Sequence, residues 1–254
     1  MKICELSDAY LAACEEPTFD HTKIILQRGD DEYFYAKSSQ RIYSEEEVNI
    51  EALDMTEIPL EHIWPLADPK FTRAPEPLPA NCYLKRQRLL TYEASPSAHK
   101  FGDQTLVEAE ACEVLRKHPH PNIVKYLGCV VKNSRIEALA FDRYTINLHD
   151  VIVNDISFDK SRCMNGIEAG VRHMHDLGLV HNDLNPGNIM MDGDNPVIID
   201  FDSCKPEGER LGMKGGTYGY SLDEEEYSKR SNDLYSLSKM RESVMEGKIF
   251  NQLC

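Results

Sequence analysis

Hydrophobic and polar positions along the chain change their pattern twice and so mark three zones. In the first zone, residues 1–80, alternating positions in KIILQ and EYFYAK flank the turn-like RGDD and predict a β-hairpin. Acidic and proline-rich stretches follow and end in TRAPEPLPAN. Because this zone carries no recognisable catalytic motif, we assign residues 1–80 to an N-terminal extension.

The second zone, residues 81–144, contains both strand and helix patterns. CYLKRQRLLTYE predicts a strand, and the segment from about Asp103 to Lys117 predicts a helix. Two apolar runs, IVKYLGCVV and RIEALAFD, are then joined by a turn-like Lys-Asn-Ser. This zone is therefore predicted to be a small sheet with one packed helix.

The third zone, residues 145–254, is dominated by helix. Its clearest signal is a series of apolar residues at spacings of three and four, namely Met164, Ile167, Val171, Met174 and Leu177. This spacing is typical of an amphipathic helix, and Gly178, which follows at once, is a natural terminator.

Composition and charge exclude several classes of partner. The formal net charge of −15 opposes a broad electrostatic attraction to nucleic acid or to anionic membranes, so we expect neither as a main partner. No segment approaches the roughly 18 to 20 apolar residues of a membrane span, and the N-terminal residues carry acids where a signal peptide is apolar. The eight cysteines form no CxxC pair, which is typical of reduced thiols in a cytoplasmic or nuclear protein.

One segment of the third zone, LVHNDLNPGNIMMDGDNPVIIDFDS at residues 179–203, carries candidate chemistry. Phosphoryl transfer from ATP needs a carboxylate that orients the attacking hydroxyl, and oxygen ligands that hold Mg²⁺ on the phosphates. Asp183 is the candidate catalytic carboxylate, and Asn188 and Asp200 are the candidate metal ligands. A predicted hairpin between Asn188 and Asp200 places both beside one cleft. The alternative is an acidic loop in which Asp and Asn serve only as turn formers.

The order of motifs resembles that of the protein-kinase superfamily, in particular the divergent kinase-like proteins of filamentous fungi. HND at 181–183 is similar to the kinase His-Arg-Asp, and DFD at 200–202 stands where Asp-Phe-Gly is usual. Four further segments resemble kinase motifs in the right order: HPNIVKYLG (120–128), MHDLGLVHND (174–183), KGGTYGY (214–220), and NDLYSL (232–237) with the Asp233 that ties down the catalytic loop. The resemblance implies an α+β, kinase-like bilobal fold, with a small β-rich N-lobe at 81–144 and a shortened, helical C-lobe at 145–254.

The resemblance also implies which residues bind ATP. Lys85 stands where the kinase strand lysine contacts the α- and β-phosphates. A glutamate of the following helix is expected to hold that lysine, and Glu110 is predicted because it lies about 60° from the centre of the apolar arc, nearer than the other glutamates. The segment from Phe141 to Tyr144 resembles the gatekeeper and hinge, so Asp142 and Tyr144 are expected beside the adenine.

Several departures from the kinase pattern bear on activity. No glycine occurs between Gly29 and Gly102, so the glycine-rich loop that covers the phosphates is missing. Asn185 replaces a lysine that lies near the transferred phosphate in Ser/Thr kinases. Asp202 replaces the glycine of Asp-Phe-Gly. Its carboxylate would serve either as a further metal ligand or as a restraint on the loop. Because the chain ends at Cys254, the terminal kinase helices are expected to be absent.

Three functions fit these observations. The first is a protein kinase that uses ATP and Mg²⁺ to phosphorylate Ser or Thr of a protein substrate. The second is a pseudokinase that binds nucleotide or partners without turnover, which the missing glycine loop and Asn185 favour. The third is a small-molecule kinase, because HNDLNPGNIM is also similar to the catalytic loop of antibiotic phosphotransferases. We predict the first, because HPNIV, the activation-segment-like KGGT and Asp233 favour a protein kinase. The retained lysine, catalytic aspartate and metal ligands argue against the second, and the lack of room for extra substrate-binding helices argues against the third.

Overall fold

Two compact units make up the chain, and each draws on two separate stretches of sequence. The computed structural model describes residues 1–11, 18–95, 98, 101–212, 216–222 and 225–250. The first unit combines Met1–Leu66 with Arg86–Asp103, and the second combines Ala67–Lys85 with Gln104–Cys254. The first two residues of the kinase-like segment 214–220 lie outside the described residues.

A four-stranded antiparallel sheet forms the first unit. Its strands follow one another in sequence order: β1 (Lys2–Leu11), β2 (Thr18–Arg28), β3 (Glu32–Ser38) and β4 (Thr56–Ile58). A short helix, α1 (Leu60–Ile63), follows β4. The hairpin predicted at KIILQ and EYFYAK is confirmed as β2 and β3, which are joined through Gly29 at a φ of 63°. Glycine suits this turn because it has no Cβ to clash at positive φ.

Both faces of this sheet are covered by apolar side chains. Ile24, Ile25 and Leu26 are fully buried consecutive residues of β2, and successive side chains of a strand point to opposite faces. Ile25 belongs to one apolar cluster with Trp64 and Tyr92, whereas Ile24 and Leu26 belong to another. The stretch Arg86–Asp103 therefore contributes to the core of the first unit.

The strand predicted over CYLKRQRLLTYE is much shorter in the structure. It is β5 (Cys82–Lys85), and the chain leaves the second unit after Lys85. Leu89 and Tyr92 are buried in the first unit, where the Leu89 N–H donates to Glu5 Oε1 at 2.8 Å. The prediction was wrong beyond Lys85 because the apolar residues that extended the strand pattern serve a different core.

A three-stranded sheet and one helix open the second unit. The sheet has the order β5, β7 (Arg135–Asp142), β6 (Tyr126–Lys132), and the helix is α2 (Asp103–Lys117), with the predicted bounds. β6 and β7 form the predicted hairpin, in which Asn133 and Ser134 have φ values of 50° and 61°. Positive φ at both central residues is typical of the tight turns that match the strand twist.

The rest of the second unit is mainly helical. Its elements are α3 (Leu148–Val153), α4 (Lys160–Asp176), β8 (Leu179–Val180), β9 (Ile189–Asp192), β10 (Asn195–Ile198), β11 (Lys205–Pro206) and α5 (Arg230–Glu246). The predicted amphipathic helix is confirmed as α4, and Gly178 follows it at a φ of 76°. Among the described residues, no helix is both long and apolar enough to cross a bilayer.

Two glycines let α4 pack closely against β10 and the segment before β6. A Cβ at Gly166 would lie 2.7 Å from Pro196 Cγ, and one at Gly170 would lie 2.8 Å from Ile198 Cδ1. Asn122 lies in the same contact and donates from Nδ2 to Pro196 O at 2.8 Å. This packing fixes β10, the strand that leads into Asp200.

Candidate functional site

The loop that carries Asp183 is held by Asp233 of α5. This fully buried carboxylate accepts the backbone N–H groups of His181 and Asn182, both at 2.9 Å. His175 Nε2 of α4 is also 2.8 Å from it. Since an ionised acceptor roughly doubles the strength of a hydrogen bond, Asp233 fixes the backbone just before Asp183. The predicted role of Asp233 as the tie of this loop is confirmed.

Asp183 is half-buried and already accepts hydrogen bonds from a hydroxyl residue. Its Oδ1 accepts the backbone N–H of Thr217 at 2.9 Å and the Thr217 hydroxyl at 2.7 Å. Nδ2 of Asn188 donates to the backbone oxygen of Asp183 at 2.9 Å. The same Nδ2 lies 3.4 Å from Asp183 Oδ2, so both oxygens of the carboxylate have a donor beside them.

Asn185 shapes the loop around Asp183 without adding charge. Its Oδ1 accepts the backbone N–H of Gly187 at 2.9 Å, which caps the short 3₁₀ turn Pro186–Asn188. Its Nδ2 donates to the Thr217 hydroxyl at 2.9 Å. Asn185 therefore keeps a positioning contact with the Asp183 and Thr217 pair, whereas a lysine at this position would also bring a positive charge.

Asn188 and Asp200 lie at the base of the hairpin formed by β9 and β10. The Ile199 N–H donates to Asn188 O at 3.0 Å, so Asn188 is bonded to the residue just before Asp200. Asp200 has a φ of 66°, a left-handed conformation that is uncommon for a residue with a Cβ. Such backbone outliers cluster at functional sites. The predicted hairpin is thus present, and it joins Asn188 to the residue just before Asp200.

The chemistry of this pair fits a hard divalent cation. Asn188 commits its amide nitrogen to Asp183 O, so its amide oxygen is the atom left to coordinate a metal. Mg²⁺ accepts amide and carboxylate oxygens, needs few protein ligands and keeps several waters. Within the described ranges, no group of three or more His, Cys, Asp and Glu is placed to hold a metal ion by itself. The site therefore fits a metal shared with phosphate oxygens better than a closed structural metal.

Lys85 lies between two carboxylates. Its Nζ is 2.6 Å from Glu108 Oε2 and 2.6 Å from Asp200 Oδ1. Burial alone lowers the pKa of Lys85, but the carboxylates of Glu108, Asp200 and Asp202 outweigh it and raise the pKa above its usual value. Lys85 is therefore a permanent cation beside Asp200.

Glu108, and not Glu110, is the partner of Lys85. Glu108 is only 3% exposed, and its Oε1 also accepts the backbone N–H of Phe201 at 3.1 Å. Glu110 is exposed and pairs with Lys70 at 2.6 Å. The prediction of Glu110 was wrong because it placed the buried face by apolar residues alone. Two glutamates of α2 are buried, Glu108 and Glu113, and each has its own polar partner.

Four of the six residues predicted to bind nucleotide line one cavity of about 330 Å³ in the second unit, whereas Asn188 and Glu110 do not. A cavity of this size is at the lower end of the range typical of small-molecule sites. Predicted residues in its lining are Lys85, Asp142, Tyr144 and Asp200, and Glu108 joins them. Gly187, which precedes Asn188, also lines the cavity, so the loop of Asp183 and Asn188 borders it.

Sequence reasoning missed three features of this site. Glu108 could have been found from its spacing to Cys112 and Leu115, since the three positions share one helix face. The contact of buried His175 with Asp233 was not predicted from the sequence. No sequence signal predicted that Thr217 would contact Asp183, because the two lie far apart along the chain.

Comparisons with known proteins agree with this geometry. The family model described as "Protein kinase domain" matches residues 91–252. The human calcium/calmodulin-dependent protein kinase type 1B is 32% identical over 145 residues, which cover 54% of this chain and 42% of that protein. The serine/threonine-protein kinase/endoribonuclease IRE1 of Hypocrea jecorina is 30% identical over 114 residues, which cover 39% of this chain and 9% of that protein. The chain therefore spans less than half of the length of these relatives.

A solved structure shows the same fold. A chain of the yeast RNA Pol II CTD kinase CTDK-1 complex aligns with a TM-score of 0.50 and 16% sequence identity, covering 72% of this chain and 64% of that chain. At this identity the likeness concerns the fold alone. The family match covers more than half of the chain and includes Asp183, Asn188, Asp200 and Asp233. From the motif order, the site geometry and these matches, we conclude that the chain belongs to the protein-kinase superfamily and has a protein-kinase-like α+β fold.

Proposed function

We propose that the protein uses ATP and Mg²⁺ to phosphorylate a serine or threonine hydroxyl of a protein substrate. The observation that carries this proposal is the contact between Asp183 and Thr217. An aliphatic hydroxyl donates to Asp183 Oδ1 at 2.7 Å, which is the contact that a substrate hydroxyl needs with its general base. The carboxylate is thus oriented to accept the type of group that the proposed reaction uses.

The nucleotide part of the proposal rests on Lys85 and its two carboxylates. Lys85 supplies a fixed positive charge beside the cavity, and Glu108 holds it in place. Asn188 and Asp200 are the residues that would hold Mg²⁺, which neutralises phosphate charge during transfer. With ATP bound, Lys85 would exchange part of its contact with Asp200 for phosphate oxygens, while Glu108 continues to orient it.

A two-step experiment tests this function. The first step measures the melting temperature with ATP, in the presence and in the absence of Mg²⁺, because a ligand that binds only the folded state raises it. The second step measures transfer of labelled γ-phosphate under single-turnover conditions to serine, threonine and tyrosine peptides. Label on serine or threonine supports the proposal, and label confined to tyrosine or to small molecules contradicts its acceptor class.

One observation favours a second candidate, a nucleotide-binding module without turnover. Asn185 fills the position beside Asp183 and Thr217 with a neutral amide. A cation at this position would stabilise the charge of the transferred phosphate, so its replacement by Asn slows transfer. Binding of ATP with Mg²⁺ but no transfer to any acceptor would establish this candidate in place of the kinase.

A further inference from the structure

A segment before β5 lies along the outer side of α2 and β6. We call residues 67–74 the strap. Its Ala67 N–H donates to Ser134 O at 2.9 Å, and its Ala74 N–H donates to Cys129 O at 2.9 Å. The Cys129 N–H donates in turn to Thr72 O at 2.7 Å. The strap is thus bonded to β6 and to the turn after it by backbone hydrogen bonds, which do not depend on side-chain identity.

Gly128 of β6 makes room for the strap. A Cβ at this position would lie 2.5 Å from Ala74 N and 2.6 Å from Arg73 C, and the glycine has a φ of 131°. Both features exclude a larger residue without a shift of the backbone. The close approach of strap and strand is therefore a built feature of this sheet edge.

The strap also contacts α2 through three consecutive residues. Phe71 is buried in the apolar cluster that includes residues of α2. Thr72 donates its backbone N–H at 2.6 Å and its hydroxyl at 3.0 Å to the carboxylate of Glu113, which is itself buried. Lys70 pairs with Glu110 one turn earlier on the same helix face. The contacts at Glu110 and Glu113 are charge-assisted. Because the Glu113 carboxylate accepts two bonds from Thr72, both the distance and the relative orientation of the two residues are fixed.

The strap and Lys85 hold opposite sides of α2. At about 100° per residue, Glu110 and Glu113 are roughly 140–200° around the helix from Glu108. A rotation or sliding of α2 that breaks Glu113 from Thr72 would therefore also move Glu108 away from Lys85. The contact of Glu113 with the strap and the contact of Glu108 with Lys85 are thus mechanically coupled through one rigid helix.

We propose that Thr72 and Glu113 are positioning residues for phosphoryl transfer, which keep α2 in the orientation where Glu108 holds Lys85. The strap is then an internal clamp on the helix, and its release lowers the fraction of molecules with an oriented lysine. This inference rests on the proposed function for its catalytic meaning. The coupling of strap to lysine is a property of the chain that can be measured without nucleotide.

Acylation of Lys85 by N-hydroxysuccinimide acetate, followed by mass spectrometry, reports the coupling directly. Lys85 is partly exposed, and its contact with Glu108 Oε2 at 2.6 Å holds the amine against the carboxylate, where the reagent reaches it less readily. We expect Glu113→Gln and Thr72→Val each to raise its labelling rate about fivefold, which corresponds to about 1 kcal/mol. Thr72→Ser, which restores a hydroxyl donor, should return the rate to that of the wild type.

A double-mutant comparison separates positioning from a general loss of stability. In a Glu108→Gln background the ion pair of Lys85 with Glu108 is already lost. Adding Glu113→Gln should therefore raise the labelling rate of Lys85 little further. Glu246→Gln makes the same chemical change at an exposed residue near the end of α5 and should leave the rate unchanged. An unchanged Lys85 rate in Thr72→Val and Glu113→Gln, or an equal increase with and without Glu108, would overturn the proposal.

The same variants distinguish failure of this inference from failure of the proposed function. If the wild type binds ATP with Mg²⁺, Thr72→Val should weaken that binding about fivefold and Thr72→Ser should not. If the wild type binds no nucleotide, the proposed function fails, whereas the labelling rates still decide whether the strap controls Lys85. Thr72→Val keeps the backbone N–H bond to Glu113, so it remains informative if Glu113→Gln does not fold.

Discussion

Thr217 donates both its backbone N–H and its hydroxyl to a single oxygen of Asp183, at 2.9 and 2.7 Å. Thr217 is exposed, whereas Asp183 is half-buried in a loop that α5 fixes through Asp233. The fixed carboxylate is thus the rigid member of the pair and the threonine the accessible one. Under the proposed function, a substrate hydroxyl would take the place of the Thr217 hydroxyl at this carboxylate.

Replacing Asp183 by Asn should separate nucleotide binding from turnover. Asp183 holds no metal in the proposed scheme, so the affinity for ATP with Mg²⁺ should stay within about twofold of the wild type, while the single-turnover rate falls by roughly 10²- to 10⁴-fold. Calorimetric titration and labelled-phosphate transfer measure the two quantities. Asp176→Asn makes the same change at an exposed residue of α4 and serves as the control. Equal transfer rates in the wild type and Asp183→Asn would remove Asp183 from the reaction.

Replacing Asp200 by Asn should abolish the effect of Mg²⁺ on ATP binding. At a ligand concentration about 100 times Kd, binding stabilises the folded state by about 2.7 kcal/mol, and the melting temperature of a protein of this size should rise by about 5–10 °C. Asp200→Asn keeps the Lys85 pair with Glu108, so the protein should still fold. Thermal melting with ATP, with and without Mg²⁺, checks this. A magnesium-dependent shift of unchanged size in the variant would show that the metal binds elsewhere.

Glu108 and Glu110 form a matched pair of tests on one helix. Glu108→Gln should weaken the binding of ATP with Mg²⁺ about tenfold, because it removes a charged partner of Lys85 in a buried site. Glu110→Gln should change it by less than about twofold, because exposed ion pairs contribute little. In a double-mutant cycle with Lys85→Met, only Glu108 should show sub-additive effects. The reverse order of the two variants would restore Glu110 as the lysine partner.

The pH dependence of stability should respond to His120. Burial lowers the pKa of His120, and the stacked ring of His173, 4.9 Å away between centroids, lowers it further. The unfolded chain then binds a proton more readily than the folded chain, so this residue reduces stability as pH falls below about 6.5. His120 Nδ1 accepts the Asn122 N–H, and the oxygen of an asparagine can replace it.

Melting temperatures of the wild type and His120→Asn between about pH 7.5 and pH 5.5 test this assignment. We expect the wild type to lose more stability than the variant over this range. The same measurement on His173→Asn tests the other ring of the stack, whose Nε2 is 2.7 Å from His118 O. Parallel curves for the wild type and His120→Asn would mean that His120 does not contribute to the pH dependence.

Local sequence patterns predicted the main helices of the second unit and the candidate residues of its site. The period of the apolar residues identified α2 and α4, and the motif at 179–203 identified Asp183, Asn188 and Asp200 as one group. These predictions succeeded because each depended on residues close together in sequence. The kinase-like spacing also pointed to Asp233, whose contact with the loop is long-range but is made by two backbone groups.

Partners chosen by tertiary packing were not predictable in the same way. Glu108 and Glu113 of α2 are buried, although their charge favours an exposed position. The kinase resemblance paired Lys85 with a glutamate of this helix but did not identify Glu108, and no sequence signal paired Thr72 with Glu113. Likewise, the strand pattern after Lys85 was a real apolar signal, but its residues pack in the first unit.

The two units alternate along the chain, and this order affects the segment that connects Lys85 to Glu108 of α2. Lys85 and Glu108 are separated in sequence by the stretch Arg86–Asp103, which belongs to the first unit. No single cut of the chain can separate the units, because removal of residues 1–66 leaves Leu89 and Tyr92 without the side chains they pack on. Leu89 and Tyr92 are buried in the core of the first unit, so the segment between Lys85 and Glu108 is not one free loop when that unit is folded. The chain that joins Lys85 to Glu108 therefore cannot be deleted without removing core residues of the first unit.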